Sequence, residues 1–159
     1  MGISSVLTNS FKAELLGGYH SFNASGDTPA GNAFKIALYT NSTTIDTTTT
    51  AYGGPSNELP ASGGYSSGGN ALTNTGVGTT TVTSFTDFSD TSWTSASFTA
   101  RGCLIYNSSS VTGLTSNAAV CGIDFGGDKT VSSGTFTIQF PTNDSSDAII
   151  RIKIGRAHV

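Results

Sequence analysis

Two stretches of this chain alternate apolar and polar residues with a period of two, and that pattern restricts the folds open to it. In Thr135–Phe140, Phe136, Ile138 and Phe140 fall on one side and Thr135, Thr137 and Gln139 on the other, before Pro141 ends the run. In Ala33–Thr40, Phe34, Ile36 and Leu38 oppose Lys35, Ala37 and Tyr39. A strand turns successive side chains to opposite faces, so both read as strands of a packed sheet. The rest of the chain favours the same state. It holds 25 threonines, 23 serines and 20 glycines in 159 residues, and only 11% are charged. Such a chain is a poor helix former and a good sheet former.

The stretch from Trp93 to Tyr106 holds the only tryptophan and reads as two β-type runs divided near Arg101-Gly102. It stops at Asn107-Ser108-Ser109-Ser110, a cluster that breaks strands. Further strands are expected over Thr79–Phe88, with Val82 and Phe85 on opposite faces, over Ala118–Phe125, closed by Gly126-Gly127-Asp128-Lys129, and over Ala148–Ile152. One helix is expected over Thr8–Leu16. Thr8, Asn9 and Ser10 offer N-caps, Leu7, Phe11 and Leu15 share a face, and Gly17-Gly18 stops it. The prediction is an all-β fold: a single antiparallel β-sandwich, jelly-roll-like, over residues 1–153, with one short N-terminal helix.

Two segments read as loops. Asn41–Thr50 is nearly pure serine and threonine and is expected to be an exposed connection. Tyr52–Gly69 carries Pro55, Pro60 and three glycine doublets, and a loop this long in a compact domain is functional or a packing arm. The last six residues, 154–159, resemble the translation of a sequencing adaptor and are set apart from the fold as a non-native tail.

Charge bears on partners. The net charge is −3, and the seven basic residues are scattered, which gives nucleic acid no electrostatic footprint. No run of 18 apolar residues suggests a membrane helix, and the N-terminus reads as having no signal peptide.

Chemistry is sparse. With residues 154–159 set apart, His20 is the only histidine, and it follows a helix-stopping glycine pair, where a solvated or hydrogen-bonded loop residue is expected rather than a base. Asp87 and Asp90 share one turn and Asp124 and Asp128 another; turn hydrogen bonding accounts for them better than a cation such as Ca²⁺. No catalytic residue, cofactor or metal site is assigned. Arg101 is expected to lie along apolar surface and pair with Asp87, Asp90 or Asp124. Cys103 and Cys121 read as buried thiols, with a cross-strand disulfide open only if their strands were neighbours in register. Trp93 and Phe136 are expected in the core, with Asp87 and Arg101 also structural. The partner-contact candidates are Tyr52, Tyr65, Gly68 and Gly69 in the glycine-rich arm.

Several blocks in order carry a resemblance. They are Phe11-Lys-Ala-Glu-Leu-Leu-Gly-Gly18, Phe34-Lys-Ile-Ala-Leu-Tyr-Thr40 and Gly64-Tyr-Ser-Ser-Gly-Gly-Asn-Ala-Leu72. Asp87-Phe-Ser-Asp-Thr-Ser-Trp93 then leads to Thr99-Ala-Arg-Gly-Cys-Leu-Ile-Tyr-Asn107. Ile123-Asp-Phe-Gly126 and Gly134-Thr-Phe-Thr-Ile-Gln-Phe-Pro141 follow, and the chain departs mainly over Thr43–Pro60 and at its end. Together they resemble a family of small virion structural proteins of tailed bacteriophages. The resemblance implies no activity and carries over no catalytic residue. It implies a place on the virion, assembled in the bacterial cytoplasm, as a homo-oligomer contacting the major capsid protein or tail proteins. The leading expectation is a head decoration (cement) protein binding through strand edges, the Tyr52–Asn70 arm or the N-terminal segment. The alternative is a carbohydrate- or receptor-binding module of a tail fibre, with Tyr19, Tyr39, Tyr52, Tyr65 and Trp93 as candidates for a sugar-stacking platform that weakens if Tyr52 and Tyr65 are buried.

Overall fold

The computed structural model describes residues 2–153; the expectation of a non-native tail over 154–159 lies outside the described residues. In chain order the elements are β1 (Val6–Leu7), α1 (Asn9–Leu16), β2 (Phe34–Tyr39), β3 (Asn70–Leu72), β4 (Asn74–Thr79), β5 (Thr83–Phe88), β6 (Thr91–Asn107), β7 (Ala118–Ile138) and β8 (Ile150–Lys153). A five-stranded sheet has the order β1-β7-β6-β2-β3, and a three-stranded sheet the order β4-β5-β8. Every strand pair is antiparallel. The expected all-β antiparallel fold with one short helix is what the chain adopts.

Helix α1 forms where its caps predict. Thr8 Oγ1 accepts from the Phe11 nitrogen at 3.2 Å, the N-cap bond, which contributes about 1 kcal/mol. The same hydroxyl donates to the Ala119 carbonyl at 3.0 Å, so the cap also docks the helix on β7. Gly18, at φ 79°, ends the helix in the left-handed conformation that glycine adopts freely.

The alternation in β2 is resolved into two cores. Phe34, Ile36 and Leu38 join the inter-sheet core with Phe11, Phe22 and Phe88, where the Phe22 and Phe34 rings stack at 4.5 Å and 9°. Such a pair adds roughly 0.5–1.5 kcal/mol beyond its buried area. Ala37 and Tyr39 join a second core on the other face with Ile3, Ile45, Leu104 and Tyr106. This corrects the reading of Asn41–Thr50 as merely exposed, because Thr43 and Ile45 are buried there and Ile45 bridges Ile3. The central sheet is therefore covered on both faces.

Several strand boundaries differ from expectation, among them Thr135–Phe140, whose first four residues end β7 while Phe140 lies beyond it, and Ala148–Ile152, which shifts to β8 at Ile150–Lys153. Thr79–Phe88 is not one strand: β4 and β5 form a hairpin, and Val82 sits exposed at its turn. Trp93–Tyr106 lies within one 17-residue strand, and Ala118–Phe125 within one of 21 residues. The Arg101-Gly102 and Gly126–Lys129 breaks are bulges in that ribbon. Between the pairs Ala100↔Lys129 and Gly102↔Asp124, Arg101 alone faces residues 125–128. Extra residues in one strand bend a ribbon and strengthen its twist. The register shifts at four places, with Ser95 at φ 51° and Ser133 at φ 48° nearby.

Candidate functional site

The glycine-rich arm folds back onto its own sheet. Leu59 donates to the Leu38 carbonyl, Thr40 to the Asn57 carbonyl and Ser97 to the Gly63 carbonyl, so the arm closes the outer edges of β2 and β6. Glycine is required where the backbones meet. A Cβ on Gly63 would stand 2.2 Å from the Ser97 oxygen and one on Gly69 1.8 Å from the Ile36 oxygen, both at positive φ.

Glu58 holds the arm down. Its Oε2 accepts from Tyr52 at 2.6 Å, and its Oε1 from Tyr65 at 2.7 Å and from the Gly68 nitrogen at 2.6 Å. Tyr106 donates to the Gly68 carbonyl at 2.8 Å and stacks on Tyr52 at 4.6 Å. Burial pushes the phenols of Tyr39, Tyr65 and Tyr106 well up and that of Tyr52 up to about 12, with the Glu58 carboxylate adding to each. The arm residues expected to meet a partner are thus occupied within the domain. Tyr65 is 3% exposed, Gly68 is buried, and Tyr52 and Gly69 are half-buried. The expected sugar-stacking platform of Tyr52 and Tyr65 has no free ring face at Tyr65.

The residues read as structural sit in structural places. Trp93 is 4% exposed and meets Tyr65, Phe98 and Phe136. Arg101, at the bulge, pairs with Asp124 through Nε at 2.8 Å and a second guanidinium nitrogen at 3.3 Å. That pairing, with the Gly126 N–H, holds the Asp124 carboxyl below the usual carboxylate range. Asp87 is 1% exposed rather than a surface turn residue; it accepts from the nitrogens of Phe88 at 2.8 Å and Ile149 at 3.0 Å. Burial raises its pKa despite those two bonds. Cys103 faces Ile123 and Cys121 faces Ile105, so the thiols are not register partners; both are free and buried, and burial pushes Cys121 up to about 12.

His20 is closed on both nitrogens. Asn107 Nδ2, which can only donate, meets Nδ1 at 3.0 Å, so Nε2 carries the proton and donates to Glu14 Oε2 at 3.0 Å. Its side chain is fully buried, so the imidazole ties the loop after α1 to the end of β6 and is out of a substrate's reach. Among the described residues no three His, Cys, Asp or Glu side chains gather as a metal site, and no helix is long and apolar enough to cross a membrane.

What the sequence reading missed is a groove of about 750 Å³ beside β7. The five-stranded sheet has two more strands than the other, and the groove lies along its β1 and β7 strands. Leu7, Cys121, Ile123 and Phe125 line its first part. The bend at residues 125–128 brings Phe136, Ile138 and Phe140 round as the other wall, with Phe125 and Phe136 ring centroids 6.1 Å apart. Lys129 is the one charged residue along the lining.

The outer edge of β7 opens beside this groove. Its first residues are covered: Ala119 donates to the Thr50 carbonyl, the Thr8 nitrogen donates to the Val120 carbonyl, and β1 pairs with Cys121 and Gly122. The Asp124 nitrogen donates to Ser5 Oγ. Upstream of Ser5 the chain turns away, Ser4 donating to the Ile45 carbonyl. From Phe125 to Ile138 no strand lies along this edge among the described residues. Comparison with protein-family models, with curated proteins and with solved structures returned no match.

Proposed function

We propose that this chain is a non-enzymatic virion structural protein of a tailed bacteriophage, a head decoration protein that binds and stabilises the capsid lattice. The observation that carries the reading is the bare β7 edge beside an apolar groove, a surface that a protein with no partner leaves uncovered at a cost. The block resemblance supplies the setting, and the low charge leaves shape and apolar burial to drive association. The closed hydrogen bonding of His20 and the structural pairing of Arg101 and Asp124 fit a protein without a reactive centre. The tail-fibre receptor-binding alternative loses ground because Tyr65 is turned into the domain.

The test is co-sedimentation of the full chain with undecorated shells of the phage that encodes it, followed by thermal challenge. The expected result is saturable binding and shells that open at a higher temperature. A chain that stays in the supernatant at all shell concentrations overturns the proposal.

A further inference from the structure

The groove and the edge together specify an occupant. An apolar small molecule would fill the 750 Å³ but make no use of the unpaired N–H and C=O groups along the β7 edge beside it. Those groups stay hydrogen-bonded to water beside such a ligand, so the edge contributes nothing to its binding. An extended polypeptide meets both demands. Its backbone pairs with the edge, and every second side chain enters the groove.

Direction and charge follow from neighbouring residues. β1 occupies the start of this edge in antiparallel register, Val6 against Gly122 and Leu7 against Cys121. A strand continuing along the edge in the same sense runs antiparallel to β7 and places its C-terminal end toward Lys129. Among the described residues Lys129 makes no ion pair, and it is exposed at the rim of the lining. Gly134–Ile138 is the stretch of edge past the Ser133 irregularity, and there Phe136 and Ile138 turn to the groove.

We propose that the β7 edge at Gly134–Ile138 takes up an extended segment of another polypeptide as an added antiparallel strand, with alternate apolar side chains in the groove and a carboxylate at its C-terminal end against Lys129. Resting on the reading of the chain as a shell-binding protein, this makes the segment part of a capsid subunit.

The experiment uses the full chain and the synthetic peptide acetyl-Thr-Val-Thr-Val-Thr-Val-Glu-amide, with a second peptide ending in Lys. Hydrogen exchange reads the site, and titration reads affinity. Expected are slowed exchange confined to the 134–138 region and a loss of about five-fold in affinity for the Glu peptide in Lys129→Glu, the size of a partly exposed ion pair. The Lys-ended peptide should recover that loss in the variant. Exchange unchanged at 134–138, or affinity indifferent to Lys129→Glu, overturns the proposal. So does uptake of an apolar dye that blocks nothing at the edge, which assigns the groove to small molecules. A concentration-dependent dimer abolished by Lys129→Glu also overturns it, giving the groove to a second copy. Undiminished shell binding by Lys129→Glu sinks the groove assignment alone. Peptide capture without shell binding sinks the virion reading alone.

Discussion

The hydroxyl of Tyr65 stands 2.7 Å from Oε1 of Glu58, donating to it, while accepting from the Leu38 nitrogen at 3.0 Å. One phenol thus finishes the edge of β2 and fixes the arm that crosses it. Tyr65→Phe keeps the ring but strips Leu38 N–H of its partner and removes one of three donors to Oε1 and Oε2. The expected loss is about 2 kcal/mol in urea denaturation, with faster exchange of the Leu38 amide.

Alkaline titration should expose the same cluster. The ordinary tyrosine value is 10.0, and folding raises Tyr52 to about 12 and its three neighbours further. A raised value means the folded state favours the neutral phenol. The stabilisation is therefore complete below pH 10.0 and lost as pH rises through about 12. Tyr19 lies exposed outside the cluster, so the measurement uses Tyr19→Phe, in which denaturation midpoints and tyrosinate absorbance should move together across that window; tyrosinate forming near pH 10 there without loss of stability would refute this account.

Asp87 works in the opposite pH range. Its raised pKa favours the protonated carboxyl in the folded state, so its contribution is fullest below 3.8 and is lost as pH rises through the folded value. Asp87→Asn keeps one acceptor and loses the titration. Wild-type stability should therefore fall relative to the variant between acid and neutral pH. Parallel denaturation curves at every pH would contradict it.

Two glycines with similar backbone angles should respond differently. Gly69→Ala meets the Ile36 oxygen and should detach the arm at a cost of about 3 kcal/mol or more, whereas Gly126→Ala, also at positive φ but with open space around it, should cost only about 1 kcal/mol. Equal losses would show that backbone angle alone, rather than close approach, governs the arm.

Legibility in the sequence followed the range of the interactions. Helix α1 and the two faces of β2 were readable because caps and alternation are local. The β4–β5 hairpin was not, because Gly76 and Gly78 weaken a strand pattern, and Phe85 lies over Gly78 where a side chain would have marked the sheet. Gly126-Gly127 looked like a stop and became a bulge, a distinction made only by the β6 partner. Glu58 carried no signal, being a single acid in a loop whose three donors come from residues 52, 65 and 68. The groove was equally silent, since its walls are assembled from residues as distant as Leu7, Phe125 and Ile149.

The bond from Thr8 to the Ala119 carbonyl spans 111 residues, and β1 waits on the same distant strand. A ribosome delivers the helix and its cap long before it delivers the surface that holds them. The emerging chain must keep Phe11 and its neighbours soluble through most of its synthesis, and its serine- and threonine-rich segments suit that interval. Closure of the sheet then comes as a late event dominated by contacts distant in sequence, which makes this a slow folder for its size.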